Sequence, residues 1–173
     1  LVVTPTIVDV SCFGAGDGSI QLAISGGFTS GTGSYGITWS TGASNINNIN
    51  NLIPGNYSVT IVTPTSCEFT DQFSITQPAG ALALDTIGSD VSCNGYSDGS
   101  IDLLVSGGTS PYTYIWTPGG TTQDLSGLSV GSYFVSVTDF NGCSDTLTYI
   151  IDEPIPLSLS GTTTDLLCNG VST

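Results

Sequence analysis

The sequence contains no Lys, Arg or His among its 173 residues, whereas Asp and Glu number 14 and give a formal net charge of −14. Nucleic-acid binding is strongly disfavoured because neutralising phosphates requires Lys or Arg. Binding to an anionic membrane surface is disfavoured for the same reason. Salt bridges between side chains are excluded. Stability must therefore come from apolar burial, backbone hydrogen bonds and disulfides.

Most side chains used in catalysis are also missing. Without His, Lys or Arg, the chain lacks the usual general bases, phosphate clamps and Ser-His triads. Two carboxylates can catalyse glycoside hydrolysis, but Glu68 and Glu153 occupy non-equivalent positions with no evident partner. We therefore expect no enzymatic activity and no cofactor.

Long apolar runs, Met and a signal peptide are absent as well. No run approaches the roughly 18 apolar residues that a membrane-spanning helix needs, so membrane insertion is not expected. A chain that begins at Leu1 without a signal peptide is expected to be a piece of a longer product. Only 8% of the residues are charged, but 39% are hydrophobic, which favours folding over disorder.

What the sequence does contain is an internal repeat. Three twelve-residue blocks that end in Cys align without gaps: LVVTPTIVDVSC (1–12), LALDTIGSDVSC (82–93) and LSLSGTTTDLLC (157–168). Further along, DGSIQLAISGG (17–27) matches DGSIDLLVSGG (98–108). We therefore predict one repeat at 1–81, a second at 82–156, and the opening of a third, truncated repeat at 157–173.

Each repeat has the pattern of a small all-β domain. Period-two runs of β-branched and aromatic residues alternate with clusters of Gly, Ser, Pro and Asn, and this pattern indicates six or seven short strands. So many strands in a repeat of about 75–81 residues predict a two-sheet sandwich. The predicted fold class is therefore all-β, with tandem immunoglobulin-like β-sandwich repeats.

Two aromatic positions favour the immunoglobulin-like form over a barrel. Trp39 and Trp116 each stand alone on the expected third strand and are predicted to be core residues. Tyr57 and Tyr133 follow a Leu-x-x-Gly spacing just before the penultimate strand, which suits a tyrosine corner. A plain core tyrosine is the alternative.

The order of these motifs resembles the SprB repeat, found many times over in very large cell-surface proteins of gliding, Bacteroidetes-type bacteria. The motifs run from Cys-x-Gly-x-x-Asp-Gly-Ser-Ile through Ser-Gly-Gly, Tyr-x-(Tyr/Ile)-x-Trp and Leu-x-x-Gly-x-Tyr to TDFNGC (138–143). The resemblance is fullest from Cys93 to Pro154. The first repeat departs from it at TPTSC (63–67), where the Thr-Asp-x-Asn-Gly-Cys turn is expected to be lost.

The resemblance implies a non-catalytic structural repeat of a secreted, extracellular surface filament or adhesin. It also implies export by the type IX route and, in the namesake, a role in gliding. The expected partners are neighbouring repeats of the same chain, other copies of the filament, and surface glycans, to which a surface rich in Ser, Thr and Asn can hydrogen-bond. A glycan- or surface-binding adhesive module is one alternative function, and a self-associating extracellular fibre or sheath is another.

The Cys residues stand at equivalent positions of the repeats. We expect one disulfide per repeat, Cys12–Cys67 and Cys93–Cys143, with Cys168 pairing to a Cys beyond the chain end. Each bond would stabilise the fold by roughly 3–4 kcal/mol. The alternatives are an inter-repeat bond, such as Cys143 with Cys168, and free buried thiols. Zinc is not expected because paired Cys-x-x-Cys spacing and His are both missing.

Two kinds of short motif are candidate sites. Asp17 and Asp98 are weak candidates for loosely bound Ca²⁺, but Asp-Gly is also the ordinary sequence of a tight turn, which is the preferred interpretation. Thr86 and Thr146 match the Asp-(Ser/Thr)-apolar pattern of O-glycosylation in Bacteroidetes-type bacteria.

One loop and one Asn-rich run complete the candidates. The loop at 28–34 differs most between the repeats and is our candidate for ligand contact, with a neutral insertion as the alternative. Its candidate ligand residues are Phe28, Thr29, Ser30, Thr32 and Ser34. The run NINNINN (45–51) is predicted to form a strand with Ile46 facing inward.

Overall fold

The computed structural model describes residues 1–27 and 34–162, and every regular element in them is a β-strand. No helix in these residues is long and apolar enough to cross a membrane. The predicted all-β class is confirmed. Along the strands, the period-two alternation in the sequence therefore corresponds to side chains that alternate between a core and the solvent.

Six strands lie between residues 1 and 81, and six more lie between 82 and 156. The first six are β1 (Val2–Val8), β2 (Gly18–Ser25), β3 (Gly36–Trp39), β4 (Asn48–Leu52), β5 (Gly55–Val62) and β6 (Glu68–Ile75). The second six are β7 (Ala83–Ser89), β8 (Gly99–Ser106), β9 (Thr113–Thr117), β10 (Leu125–Leu128), β11 (Gly131–Thr138) and β12 (Ser144–Ile151).

Both sets of strands are arranged in the same way, as two antiparallel three-stranded sheets. In the first set one sheet has the order β1-β2-β4 and the other β3-β5-β6. In the second set the orders are β7-β8-β10 and β9-β11-β12. The first, second and fourth strands therefore pair separately from the third, fifth and sixth, which is a reduced immunoglobulin-like sandwich.

Each sandwich has its own hydrophobic core. The first core is built from buried residues between Val10 and Ile75, and the second from buried residues between Val91 and Ile151. β2 and β8 have identical patterns of burial along their eight residues, with Ile20 and Ile101 fully buried at equivalent positions. The repeated sequence DGSI therefore starts the same inward-facing strand twice.

The prediction for the Asn-rich run is wrong in its register. Ile46 is 43% exposed, the strand begins at Asn48, and Ile49 and Leu52 supply the buried side chains. A bulge in the pairing of β4 with β2 allows both to face inward although they are three residues apart. Asn51 has a φ of 55° within this bulge.

Candidate functional site: the junction between the two sandwiches

Each sandwich has two distinct ends, which we name from the path of the chain. The exit end is where the first strand finishes and where the sixth strand leaves the sandwich. In the first sandwich, Val10 N–H donates to the Thr76 carbonyl over 3.2 Å, and Thr76 N–H donates to Asp9 Oδ1 over 2.7 Å. Cys12 therefore lies at the exit end, beside the start of the linker at 77–81.

The entry end is opposite, at the turn between the fifth and sixth strands. β5 and β6 pair continuously from Gly55 with Ile75 to Val62 with Glu68. Eight residues of strand span roughly 25 Å, so Cys67, next to this turn, is separated from Cys12 by the length of the sandwich. A disulfide requires Cα atoms within about 7 Å.

The structure accordingly pairs Cys12 with Cys143, and the predicted bonds within each repeat are wrong. The Cα atoms of Cys12 and Cys143 are 5.8 Å apart, and the bond spans 131 residues of sequence. Cys67 and Cys93 are exposed free thiols. Cys168 lies outside the described residues. The bond joins the exit end of the first sandwich to the entry end of the second.

Asp139 organises the turn that presents Cys143. Its side chain is only 5% exposed and accepts hydrogen bonds from the backbone N–H groups of Thr109, Asn141 and Cys143, at 2.8, 2.9 and 2.8 Å. A buried carboxylate with several N–H donors holds a turn firmly, because each charge-assisted bond is stronger than a neutral one. The position of Cys143 is therefore defined by the fold of the second sandwich.

Asn141 adds a second, non-covalent connection across the junction. Its Nδ2 donates to the carbonyl of Ser11 over 2.9 Å and to Thr109 Oγ1 over 3.2 Å. The Cys143 sulfur also lies 3.4 Å from the Ser11 carbonyl oxygen. The TDFNGC motif therefore supplies the buried acid, the amide and the thiol of one inter-repeat contact.

The linker passes close to the entry end of the second sandwich. Gly108 N–H donates to the Gly80 carbonyl over 3.0 Å. Gly107 has a φ of 68°, and a Cβ placed on it would lie 1.8 Å from the Ala81 carbonyl oxygen. Only glycine permits this approach, so the glycines of the Ser-Gly-Gly motif allow the linker to pack against the second sandwich.

The first sandwich retains the equivalent turn although its motif is different. In the first sandwich, Thr63 N–H donates to the Cys67 carbonyl, and Ser66 N–H donates to the Thr63 carbonyl. The same two bonds occur in the second sandwich, where Asp139 N–H donates to the Cys143 carbonyl and Gly142 N–H donates to the Asp139 carbonyl. The expected loss of this turn is therefore wrong. Thr63 Oγ1 accepts one backbone bond, from Cys67 N–H at 3.0 Å, and shares a hydrogen bond with Thr65 Oγ1 at 2.9 Å, whereas Asp139 accepts three backbone bonds.

Asp17 and Asp98 close the turn that follows the first strand of each repeat. Asp17 accepts bonds from the hydroxyl and the backbone N–H of Ser11, at 2.5 and 3.0 Å, and Asp98 does the same with Ser92. The hydroxyl bond and then the backbone bond lower the pKa of each carboxyl. No group of three or more metal-ligating side chains occurs in residues 1–27 and 34–162.

The predicted aromatic positions are structural. The phenol of Tyr57 donates to the Ile53 carbonyl over 2.8 Å, and that of Tyr133 to the Ser129 carbonyl over 3.0 Å, which is tyrosine-corner geometry. Trp39 and Trp116 are buried in the two cores.

The remaining candidates are scattered rather than gathered into one site. Thr86 is half-buried on β7, whereas Thr146 is exposed on β12. Ser34 is exposed, and Phe28, Thr29, Ser30 and Thr32 lie outside the described residues. Glycosylation and ligand contact at these residues stay predictions.

A shallow groove that the sequence did not suggest runs along β4. It encloses about 560 Å³, and its lining includes Asn48, Asn50, Asn51, Ile53 and Tyr57. The groove lies along the strand that carries the bulge, and no alternating pattern reveals that bulge.

Comparison with known proteins shows what the first half of each repeat is similar to. The family model described as SprB repeat matches residues 4–44 and 86–121. The SprB repeat model thus matches this chain in two places. The matches extend over β1–β3 and β7–β9, including both Ser-Asp turns and both core Trp residues. Neither match reaches Cys67 or Cys143, so the family model carries no information on the disulfide. The predicted resemblance to this family is confirmed.

No curated protein matches the chain. Among solved structures, the chain is similar to the C-terminal 282-residue fragment of intimin, crystallised in complex with the intimin-binding domain of the translocated intimin receptor. The sequence identity is 12% and the TM-score is 0.44, over 86% of this chain. The chain covers 62% of the length of the intimin fragment.

Proposed function

We propose that this chain is a non-catalytic structural segment of a large, secreted bacterial surface filament or adhesin. The observation that carries the proposal is the Cys12–Cys143 disulfide, which ties two SprB-type repeats together end to end. The family supports a location on the cell surface, export by the type IX route, and a role in gliding or attachment.

Three contacts oppose hinge motion between the repeats. They are the disulfide, the hydrogen bond from Asn141 to the Ser11 carbonyl, and the packing of the linker against Gly107 and Gly108. A flexible linker would allow the two repeats to change their relative orientation freely. With three attachments, the two repeats act as one stiff unit, which suits a filament.

The disulfide also changes how the chain carries tension. When the two termini are pulled, the disulfide transmits the force directly from Cys12 to Cys143. The chain between these two residues, a sequence separation of 131, then carries no tension. Fully extended, that segment would measure about 460 Å. An intact bond therefore prevents most of the chain from lengthening, even if both sandwiches unfold.

Single-molecule force spectroscopy on the chain held by its two termini tests this role. We expect unfolding of the oxidised chain to release only the residues outside the disulfide loop, and unfolding in reductant to release about 460 Å more. Cys12→Ser should behave like the reduced chain, and Cys93→Ser like the oxidised wild type. Equal extension with and without reductant would contradict the proposal.

A glycan-binding adhesive role is the second candidate, favoured by the groove along β4. Amide side chains such as Asn48 and Asn50 hydrogen-bond hydroxyl groups without needing charge, and Tyr57 adds an aromatic surface. Binding to a glycan array, lost in Asn50→Ala and retained in the exposed-site control Asn56→Ala, would support this role. Equal binding by both variants, or none by the wild type, would contradict it.

A further inference from the structure

The outer face of the second sandwich at β7 and β8 combines exposed apolar side chains with carboxylates. Ile87 and Leu104 are 64% and 43% exposed. In the pairing of the two strands, Asp85 lies directly opposite Leu104, and Ile87 lies directly opposite Asp102. Both aspartates are exposed as well. We call these four residues the acidic-apolar face.

The fold of the repeat does not require these side chains. In the first sandwich β1 and β2 pair in the same register, with Thr4 opposite Ala23 and Thr6 opposite Gln21. These residues occupy the four equivalent positions, and they are all uncharged and either polar or small. The first sandwich therefore forms the same pair of strands without carboxylates or branched aliphatic side chains at these positions.

The two carboxylates of the acidic-apolar face have no cation to balance them. Asp85 and Asp102 are diagonal neighbours on adjacent strands, and such neighbours lie about 7–8 Å apart. Their charges repel each other at that distance, which is shorter than the Debye length of about 10 Å at 0.1 M salt. The chain contains no cationic side chain. A positively charged partner would therefore relieve this repulsion.

The same composition argues against a second copy of the chain as the partner. Another copy offers only carboxylates and neutral side chains, so docking would remove water from Asp85 and Asp102 without supplying an opposite charge, which is unfavourable. The two repeats of this chain meet at the ends of their sandwiches, whereas the acidic-apolar face lies along the middle of β7 and β8. The partner is therefore a different molecule.

A second exposed apolar surface on the same sandwich lacks the carboxylates. Ile115 and Phe134 are 65% and 42% exposed on the outer face of β9 and β11, close to the values for the acidic-apolar face. Their neighbours across the strands carry hydroxyl groups and are Ser136, Thr117 and Thr148. The two surfaces therefore offer similar apolar exposure, and of the two, the one at β7 and β8 combines it with negative charge.

We propose that the acidic-apolar face docks a cationic segment of another protein, one that presents Lys or Arg beside apolar side chains. The basic groups of the segment pair with Asp85 and Asp102, and its apolar side chains cover Ile87 and Leu104. Asp85 and Ile87 stand two residues apart on one strand, so an extended segment meets both when its basic and apolar residues are also two apart. This inference does not depend on the structural role proposed above.

Titration of the full, oxidised chain, followed by nuclear magnetic resonance, tests the proposal. The probe is the peptide Lys-Ser-Leu-Ser-Lys-Ser-Leu, and two reference peptides carry Glu in place of both Lys or Ser in place of both Leu. We expect the probe to shift the amide signals of β7 and β8, and each reference peptide to bind at least about three-fold more weakly. Salt at about 1 M should weaken binding of the probe.

Paired substitutions locate the contact. Asp85→Asn/Asp102→Asn removes both charges, and Ile87→Ser/Leu104→Ser removes both apolar side chains. Each pair should weaken binding of the probe about three- to ten-fold. Because all four side chains are exposed, the midpoint of thermal unfolding should stay close to that of the wild type, which separates loss of binding from loss of folding.

The matched control is Ile115→Ser/Phe134→Ser, which removes a similar apolar exposure from the uncharged surface and should leave binding unchanged. Equal weakening by this control would overturn the proposal, as would absence of binding by the probe at about 1 mM. Shifts of the β7 and β8 signals as the chain is concentrated without peptide would assign the face to a second copy. Shifts with the neutral sugar maltohexaose but not with the probe would assign it to a glycan, and either result would contradict the proposal.

Discussion

At the residue scale, the junction depends on one buried acid rather than on the cysteines alone. The motif TDFNGC was recognisable in the sequence as part of a family pattern, but the role of Asp139 was not. Three N–H groups converge on it from two segments, Thr109 on one and Asn141 and Cys143 on the other. A partner 30 residues away is set by tertiary packing, which local sequence does not reveal.

Replacing Asp139 with Ala should destabilise the second sandwich. Three part-buried N–H groups would lose the buried carboxylate that accepts their hydrogen bonds, at a cost of about 2–4 kcal/mol in the free energy of unfolding. Urea denaturation of Asp139→Ala measures this loss. The matched control is Asp102→Ala, since Asp102 is exposed on β8 and its side chain makes no hydrogen bond to any described residue; it should change stability by less than about 0.5 kcal/mol. Equal effects of the two substitutions would contradict the account.

The two Ser-Asp turns should make stability sensitive to acid. Hydrogen bonds hold the pKa of Asp17 and Asp98 below the ordinary 3.8 in the folded chain. A lowered folded pKa stabilises the fold above the unfolded value, and the contribution is lost as pH falls through the folded pKa. Asp17→Asn/Asp98→Asn should therefore be less stable than wild type at pH 6, and the difference should vanish well below pH 3.8. A difference independent of pH would be inconsistent with this cause.

At the scale of elements, strand content was predictable and strand direction was not. Alternation located the inward residues of β2, β8 and β11 because one face of each is buried. However, β3 and β4 run in the same direction, since β3 pairs with β5 near Val62 and β4 pairs with β2 at Gly18. The connection between them returns along the sandwich. A strict up-and-down order of the strands would place Cys67 at the same end as Cys12, whereas the structure places it at the opposite end.

The contact between Gly107 and the linker can be tested at this scale with a matched control. Gly107 and Gly26 are equivalent and both have positive φ, at 68° and 77°, so Ala strains the backbone at either position. Only at Gly107 would the Cβ collide with the linker, whereas at Gly26 its nearest neighbour is 3.6 Å away. Gly107→Ala should therefore lower the midpoint of thermal unfolding more than Gly26→Ala, by the equivalent of about 1–3 kcal/mol. Equal shifts would show that the linker does not sit against Gly107.

At the scale of the whole molecule, the sequence revealed the repeat but not how repeats are joined. Self-similarity, the family resemblance and the lack of cations were all legible in the residues. The sequence did not reveal whether the disulfide joins two cysteines of one repeat or one cysteine from each repeat, because the spacing of the cysteines is compatible with both pairings. The choice is made by geometry: the entry end of the second sandwich lies against the exit end of the first.

The central claim is that this disulfide crosses from one repeat to the next. Digestion of the non-reduced chain with an acid-tolerant protease, followed by mass spectrometry, tests it directly, because acid suppresses exchange between thiols and disulfides. We predict one linked pair of peptides that contains Cys12 and Cys143, with Cys67 and Cys93 recovered outside it. Recovery of Cys12 with Cys67 and of Cys93 with Cys143 would contradict the account.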